Sequence, residues 1–273
     1  MLFGLLAVTL PAFAAQPAGF RPSPNFVAGG KADQAEGARI LRDFHQAGIA
    51  GTYWLSFELR VMPRKGEGRT VKGEMFGTRG EQGPLTRLRI DGQRWLIQGG
   101  PQPSTWSAPD GVAPRAIPAG ETLQPVAGTD LTLFDLQMPF LYWTDFVHEG
   151  LARIRGRPAH SFVLYPPAEL AAARPDLTGV RVSIDTQFQA LVQAEVLGAK
   201  GMAERTITIL DLKKVGEQWM VKSIDLHNNL TRDKTRFTVT AAALDLTLPG
   251  EVFAPEQLAQ PSPPVPAGKL QRF

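Results

Sequence analysis

"VRVSIDTQFQALVQAEVL", residues Val180–Leu197, contains two short strand-like runs, Val180–Asp185 and Leu191–Leu197, with a short gap between them. Apolar, branched runs bounded by turn-prone residues read as strands. So short a connection joins antiparallel neighbours, because parallel strands need a crossover of about a dozen residues or more. The pattern continues on both sides. Thr206–Lys213, Trp219–Asn228 and Thr235–Leu246 follow it, and Glu149–Arg155 and Ala159–Tyr165 precede it, again with mostly short gaps. The expectation is an antiparallel meander.

Further upstream the period is again two. In Thr52–Met62, Tyr53, Leu55, Phe57, Leu59 and Val61 share one face, and Trp54, Ser56, Glu58 and Arg60 the other. Thr70–Phe76, Leu85–Asp91 and Gln93–Gln98 are further strand candidates, separated by glycines. Lys31–Gln46 has helical spacing, with Ile40, Leu41 and Phe44 on one face, and Gly48–Gly51 ends it.

Three segments depart from this rhythm. Gly99–Gly128 is rich in proline and glycine and reads as a long loop, of the kind that covers a functional site or lacks order. "DLTLFDLQMPFLYWTDFV", Asp130–Val147, is the most apolar internal stretch. Thr129 or Asp130 would cap a helix there, and Pro139 would break or kink it. Leu133, Phe134, Leu136, Phe140, Leu141 and Trp143 would crowd around that helix, either as core or as a lid over an apolar cavity. Gln260–Phe273 is proline-rich and reads as a loose tail.

Composition narrows the classes. The 273 residues are 43% hydrophobic, enough for a true core, so general disorder is excluded. Net charge is only +3 with scattered arginines, which argues against a nucleic-acid partner. Leu2–Leu10 is an apolar run too short for a bilayer, which needs roughly 20 residues, and the small-residue pattern Ala12-Phe13-Ala14 follows it. Residues 1–14 are therefore expected to be a signal peptide and 15–30 a flexible lead-in. With no cysteine there is neither a disulfide nor the acylated cysteine of an anchored lipoprotein. A soluble, exported protein is the expectation.

Catalytic motifs mostly fail. His148-Glu149 opens like a zinc-protease helix, but Ala152 stands where the second histidine belongs. Gly66-Glu67-Gly68 opens like a dinucleotide fingerprint, but Val71 replaces its third glycine. Asp225 and His227 lie two apart and would share one strand face, with His160 or Asp211 conceivable as a third group. Yet Met220, Ile224, Leu226 and Leu230 alternate with Ser223, Asp225, His227 and Asn229, as in any half-buried strand. No catalytic residue, metal or cofactor is therefore assigned.

The opening stretch also resembles the strand–turn–strand of the outer-membrane lipoprotein-sorting (LolA-like) family, with Ile184-Asp185 closing the first strand. "TITILDLKKVGEQWMVKSIDLHN" is similar to that family's next hairpin, turning at Gly216, and "KTRFTVTAAALDLTLPGEVFAPEQL" to its closing strand with Val252-Phe253. Upstream, "GTDLTLFDLQ" resembles a family segment that precedes a helix, and "GRPAHSFVLYPP" resembles the strand after it. The resemblance spans Lys31–Leu258 and departs from the family at Gly99–Gly128, where a compact connection with basic residues was expected.

It implies a mainly β fold with some α: a strongly curved antiparallel sheet, an incomplete barrel, closed by helices acting as a lid. Residues 31–258 would form one domain and 259–273 a proline-rich tail. It implies a periplasmic lipid- or lipoprotein-binding protein, a carrier of acylated cargo towards the outer membrane, not an enzyme. Acyl chains would lie in an apolar cavity lined by Tyr53, Leu55, Phe57, Leu133, Phe134, Leu136, Phe140, Leu141 and Trp143. The implied partners are those chains and the inner- and outer-membrane lipoprotein machinery, with the protein a monomer. The alternatives are an envelope interaction or sensor module on the same fold, and an enzyme using Asp225 and His227.

Overall fold

The structure, a computed structural model, describes residues 32–46, 49–109 and 112–273. The expected signal peptide and lead-in lie outside the described residues.

Helix α1 (Gln34–Gln46) begins where Asp33 Oδ1 accepts the amides of Ala35 and Glu36 at 2.8 and 3.2 Å, and it buries Ile40 and Leu41. A first meander follows: β1 (Tyr53–Met62), β2 (Arg69–Gly80), β3 (Gly83–Ile90) and β4 (Gln93–Gln98). It continues through β5 (Ser104–Ser107) and β6 (Arg115–Ala116) to a 3-10 turn at Ala119–Leu123. Helix α2 (Leu133–Gln137) and a 3-10 turn at Pro139–Tyr142 lead into the second meander. That meander comprises β7 (Phe146–Ile154), β8 (Arg157–Leu164), helix α3 (Ala168–Ala173), β9 (Gly179–Asp185), β10 (Leu191–Leu197), β11 (Ala203–Val215), β12 (Gln218–Asn228) and β13 (Lys234–Ala243). The short β14 (Gln271–Arg272) closes the chain.

All these strands belong to one 14-stranded antiparallel sheet, in the order β6-β5-β4-β3-β2-β1-β13-β12-β11-β10-β9-β8-β7, with β14 also on β13. The ends β6 and β7 do not meet, so the sheet is an open half-barrel with its covering helices on one face. Pairing of β1 with β13 joins the two meanders, from Trp54 opposite Ala243 to Met62 opposite Lys234.

Three local devices shape this sheet. Phe57 and Tyr53 on β1 face Gly73 and Gly77 on β2, where a β-carbon would fall 2.3 and 2.1 Å from the rings. Two glycines thus make room for two aromatics on the helix-covered face. A bulge at β13 sets Ser56 opposite Ala241 but Phe57 opposite Val239, and Thr240 Oγ1 turns back to Ser56 O at 3.1 Å. The bulge keeps Phe237 and Val239 inward while Ala243 turns outward against Phe76 and Leu246. Finally, β12 pairs with β13 only over Ser223–His227; beyond it, Lys222 Nζ reaches Val239 O at 2.8 Å and β14 takes Ala241 and Ala242.

The structure corrects the reading at several places. Gly99–Gly128 is not one long loop, because Trp106 and its neighbours pair with Leu96 and extend the sheet by two strands. Strands of four and two residues are too short for alternation to announce them. The chain after β13 crosses the outer face, where Arg87 donates to the carbonyls of Val252, Leu258 and Gln260, and Phe273 N bonds Thr240 O at 2.9 Å, so the Gln260–Phe273 tail is tied at both its ends. Its ring lies 4.5 Å from Lys222 Nζ. Helix α3, with Leu170 buried, was not anticipated from the sequence. The cap of the lid helix is Thr132, not Thr129 or Asp130.

Candidate functional site

Helix α2 and the turn after it cover the sheet as a short, kinked lid. Thr132 Oγ1 accepts the amide of Asp135 at 3.1 Å, and Asp135 Oδ2 accepts the amide of Thr132 at 2.9 Å, a reciprocal capping box. Met138 takes a left-handed conformation, φ 48°, and Pro139 starts the next turn, so the helix stops after five residues. Both ends are fastened. On β11, Arg205 bonds the carboxylate of Asp135, the carbonyl of Asp130 and, at 3.3 Å, the hydroxyl of Thr132. At the other end, Gln137 Nε2 donates to Gln98 O, Ser104 O and Thr105 Oγ1 at 2.9–3.2 Å. Helix α1 adds a latch: His45 stacks on Tyr142, centroids 4.4 Å apart, and bonds Leu141 O.

The structure brings all nine predicted apolar residues into one core. Leu55, Phe57, Leu133, Phe134, Phe140 and Leu141 are buried in it, and Tyr53, Leu136 and Trp143 pack against it half-buried. The rings of Phe134, Phe140 and Trp143 stand 5.6–6.4 Å apart, and Phe57 lies 4.7 Å from Phe237. These side chains belong to one packed core beneath helix α2.

Beside the lid lies an open groove of about 660 Å³, within the roughly 300–1,000 Å³ range of ligand pockets. Its floor includes Trp95, Ile117, Val126 and Leu133; its rim carries Arg69, Arg94, Arg115, Asp91 and Glu121. Leu133 is the one predicted residue that also lines it. The rest escaped the sequence reading because the start of β2, the strands β4 to β6 with their turns and the loop before α2 assemble them from distant positions. Ala127 and Gly128, both left-handed at φ 50° and 61°, form the tip of that loop.

Asp225 and His227 do not form a reactive pair. Lys234 and Arg236 both bind the Asp225 carboxylate, at 2.7 Å each, while His227 Nδ1 pairs with Asn229 at 2.8 Å. Burial raises the Asp225 carboxyl, but its hydrogen bonds from Arg236 and Lys234 prevail and leave it below its ordinary value. His160 stands elsewhere, 5.4 Å from His148, and Asp211 is opposite Ser223. Among the described residues no group of three or more metal-ligating side chains occurs.

A protein family described as "-like: Uncharacterized protein" matches residues 106–260, more than half of the chain. The chain belongs to that family. Its fold is LolA-like. A Vibrio parahaemolyticus domain named for outer membrane lipoprotein sorting superposes with a TM-score of 0.71 at 16% identity, over 82% of this chain and 97% of that one. A DUF1329 family protein from Desulfovibrio piger gives 0.69 at 13%, over 80% and 96%. A LolA superfamily protein from Nitrosomonas europaea gives 0.62 at 13%, over 80% and 96%. No curated protein matches the sequence. Identities this low carry the fold and not the activity. Among the described residues no helix is long and apolar enough to cross a membrane.

Proposed function

We propose that this chain is a periplasmic lipid- or lipoprotein-binding carrier that holds acyl chains between the inner sheet face and the lid. The observation that supports it most is the lid itself: a five-residue helix fastened by polar groups at both ends over an apolar sheet face. Such polar fastenings can release without dismantling the sheet. Each methylene transferred to that face is worth about 0.8 kcal/mol, so a modest opening suffices to hold a chain. Tyr53, Leu55 and Phe57 would form the floor of the opened site; Leu133, Phe134, Leu136, Phe140, Leu141 and Trp143 would form its roof.

The names of the similar domains point the same way. The sensor-module alternative has less support, because Ser104–Ser107, Arg115–Ala116 and Gln271–Arg272, within its expected docking elements, pair into the sheet. The enzyme alternative has less support, because Asp225 is held by Arg236 and Lys234 and His227 pairs with Asn229.

Binding of a fluorescent fatty acid to delipidated protein tests the proposal. The wild type should bind, and Phe140→Asp, which places a charge in the roof, should abolish binding while circular dichroism confirms that the sheet persists. Absence of binding by the folded wild type to both fatty-acid and acyl-peptide probes would overturn it.

A further inference from the structure

The groove beside the lid has a lining of mixed polarity and a rim with a net positive charge. Trp95, Val126 and Leu133 on its floor belong to the same core as Phe134 and Phe140 under the lid. Three arginines, Arg69, Arg94 and Arg115, face two carboxylates, Asp91 and Glu121, so the rim carries one excess positive charge.

Two of these arginines are placed to meet an anion. Arg69 Nη2 donates to the carbonyls of Ala127 and Gly128 at 2.6 and 2.8 Å, partners that orient the guanidinium without neutralising it. Arg115 meets Glu121 at 3.7 Å with both side chains more than half exposed, a pair weak enough to yield to a better acceptor. A phosphate or carboxylate head offers the oxygens that a guanidinium fork binds best.

The groove is also linked to the lid. Val126–Thr129 is a tight turn closed by Thr129 N to Val126 O at 3.0 Å, with Ala127 and Gly128 both left-handed as a type I′ turn requires. Pro125 then pairs with Thr132, the cap of α2. A ligand that touches this flap touches the segment from which the lid starts.

We propose that the groove is a port for an anionic amphiphile: its phosphate or carboxylate head sits at Arg69 and Arg115, and its chain runs over Trp95 and Val126 towards Leu133. This rests on the lid reading above and adds selectivity for a negatively charged lipid head.

Calorimetric titration of the full chain with dodecyl phosphate, dodecyl maltoside and inorganic phosphate, each below its micelle concentration where one exists, tests it. The wild type should prefer dodecyl phosphate over dodecyl maltoside by about tenfold or more. Arg69→Gln/Arg115→Gln should lose that preference and keep its affinity for the maltoside. Glu121→Gln, an exposed change that leaves both arginines in place, should strengthen dodecyl phosphate binding about twofold to threefold and leave the maltoside unchanged. Equal affinity for the two amphiphiles, or a preference that survives the double substitution, would overturn the port. Inorganic phosphate binding as tightly as dodecyl phosphate would also overturn it, leaving a free-anion site. Acyl-probe binding blocked by Phe140→Asp but indifferent to head charge would sink the port alone; absence of all acyl binding would sink the carrier reading.

Discussion

Gly73 lies opposite Phe57 so closely that a β-carbon would overlap the ring, and the Phe237 ring, tilted against it with centroids 4.7 Å apart, limits its retreat. Gly73→Ala should therefore destabilise the fold by about 1–3 kcal/mol, read as a lower midpoint in urea, by overpacking and not by backbone entropy. The Asp135–Arg205 pair argues in the same way from charge. The Asp135 side chain is 2% exposed, so Arg205→Ala would leave a buried carboxylate without its cation. The expected loss is about 3–5 kcal/mol by the same measurement, whereas Asp135→Asn with Arg205→Met should recover much of it. Neither pairing is visible in sequence. Gly73 falls inside the strand candidate Thr70–Phe76 with nothing to name its cross-strand partner, and Arg205 is 70 positions from Asp135.

At the scale of elements, alternation marked every long strand but missed the short ones. The five-residue apolar face of Thr52–Met62 was legible because a half-buried strand must alternate. By contrast β5, β6 and β14 are two to four residues long and gain their stability from partners already in place. The C-terminal arm shows what holds such pieces. Arg87, 4% exposed, satisfies three carbonyls of that arm and has no periodic signature. Arg87→Met should release the arm, seen as rapid proteolytic cleavage within residues 249–262 while the sheet stays resistant. Gly128→Ala should act on the flap: its β-carbon would fall 2.4 Å from Arg69 Nη2 at φ +61°. About 1–2 kcal/mol of stability should be lost, and hydrogen exchange at Val126–Thr129 should quicken.

For the molecule as a whole, acid should weaken the seat of α1 before it unfolds the sheet. Burial is the main cause that holds His45 and His160 below the ordinary imidazole value of 6.5; for His160 the neighbouring His148 adds to it. The unfolded chain then binds more protons than the folded one, so stability contributed by these groups is intact above pH 6.5 and falls as pH drops through the folded values. Asp225 and Asp185, held low by arginine partners despite burial, add losses only as pH falls below the ordinary carboxyl value of 3.8. The melting temperature should therefore decline in two stages, and His45→Gln/His160→Gln should remove the upper one. The sequence by itself determined the antiparallel meander, the apolar inner face and the supply of apolar residues to the lid, because strand alternation is a local property with a fixed period of two. Only the tertiary structure decided that the nine apolar residues meet in a packed interior, and that the proline-rich segment extends the sheet and walls a groove. It also decided that Asp225 is already held by two cations. Each of those outcomes depends on which distant residues are set side by side, and strand register, not composition, makes that choice.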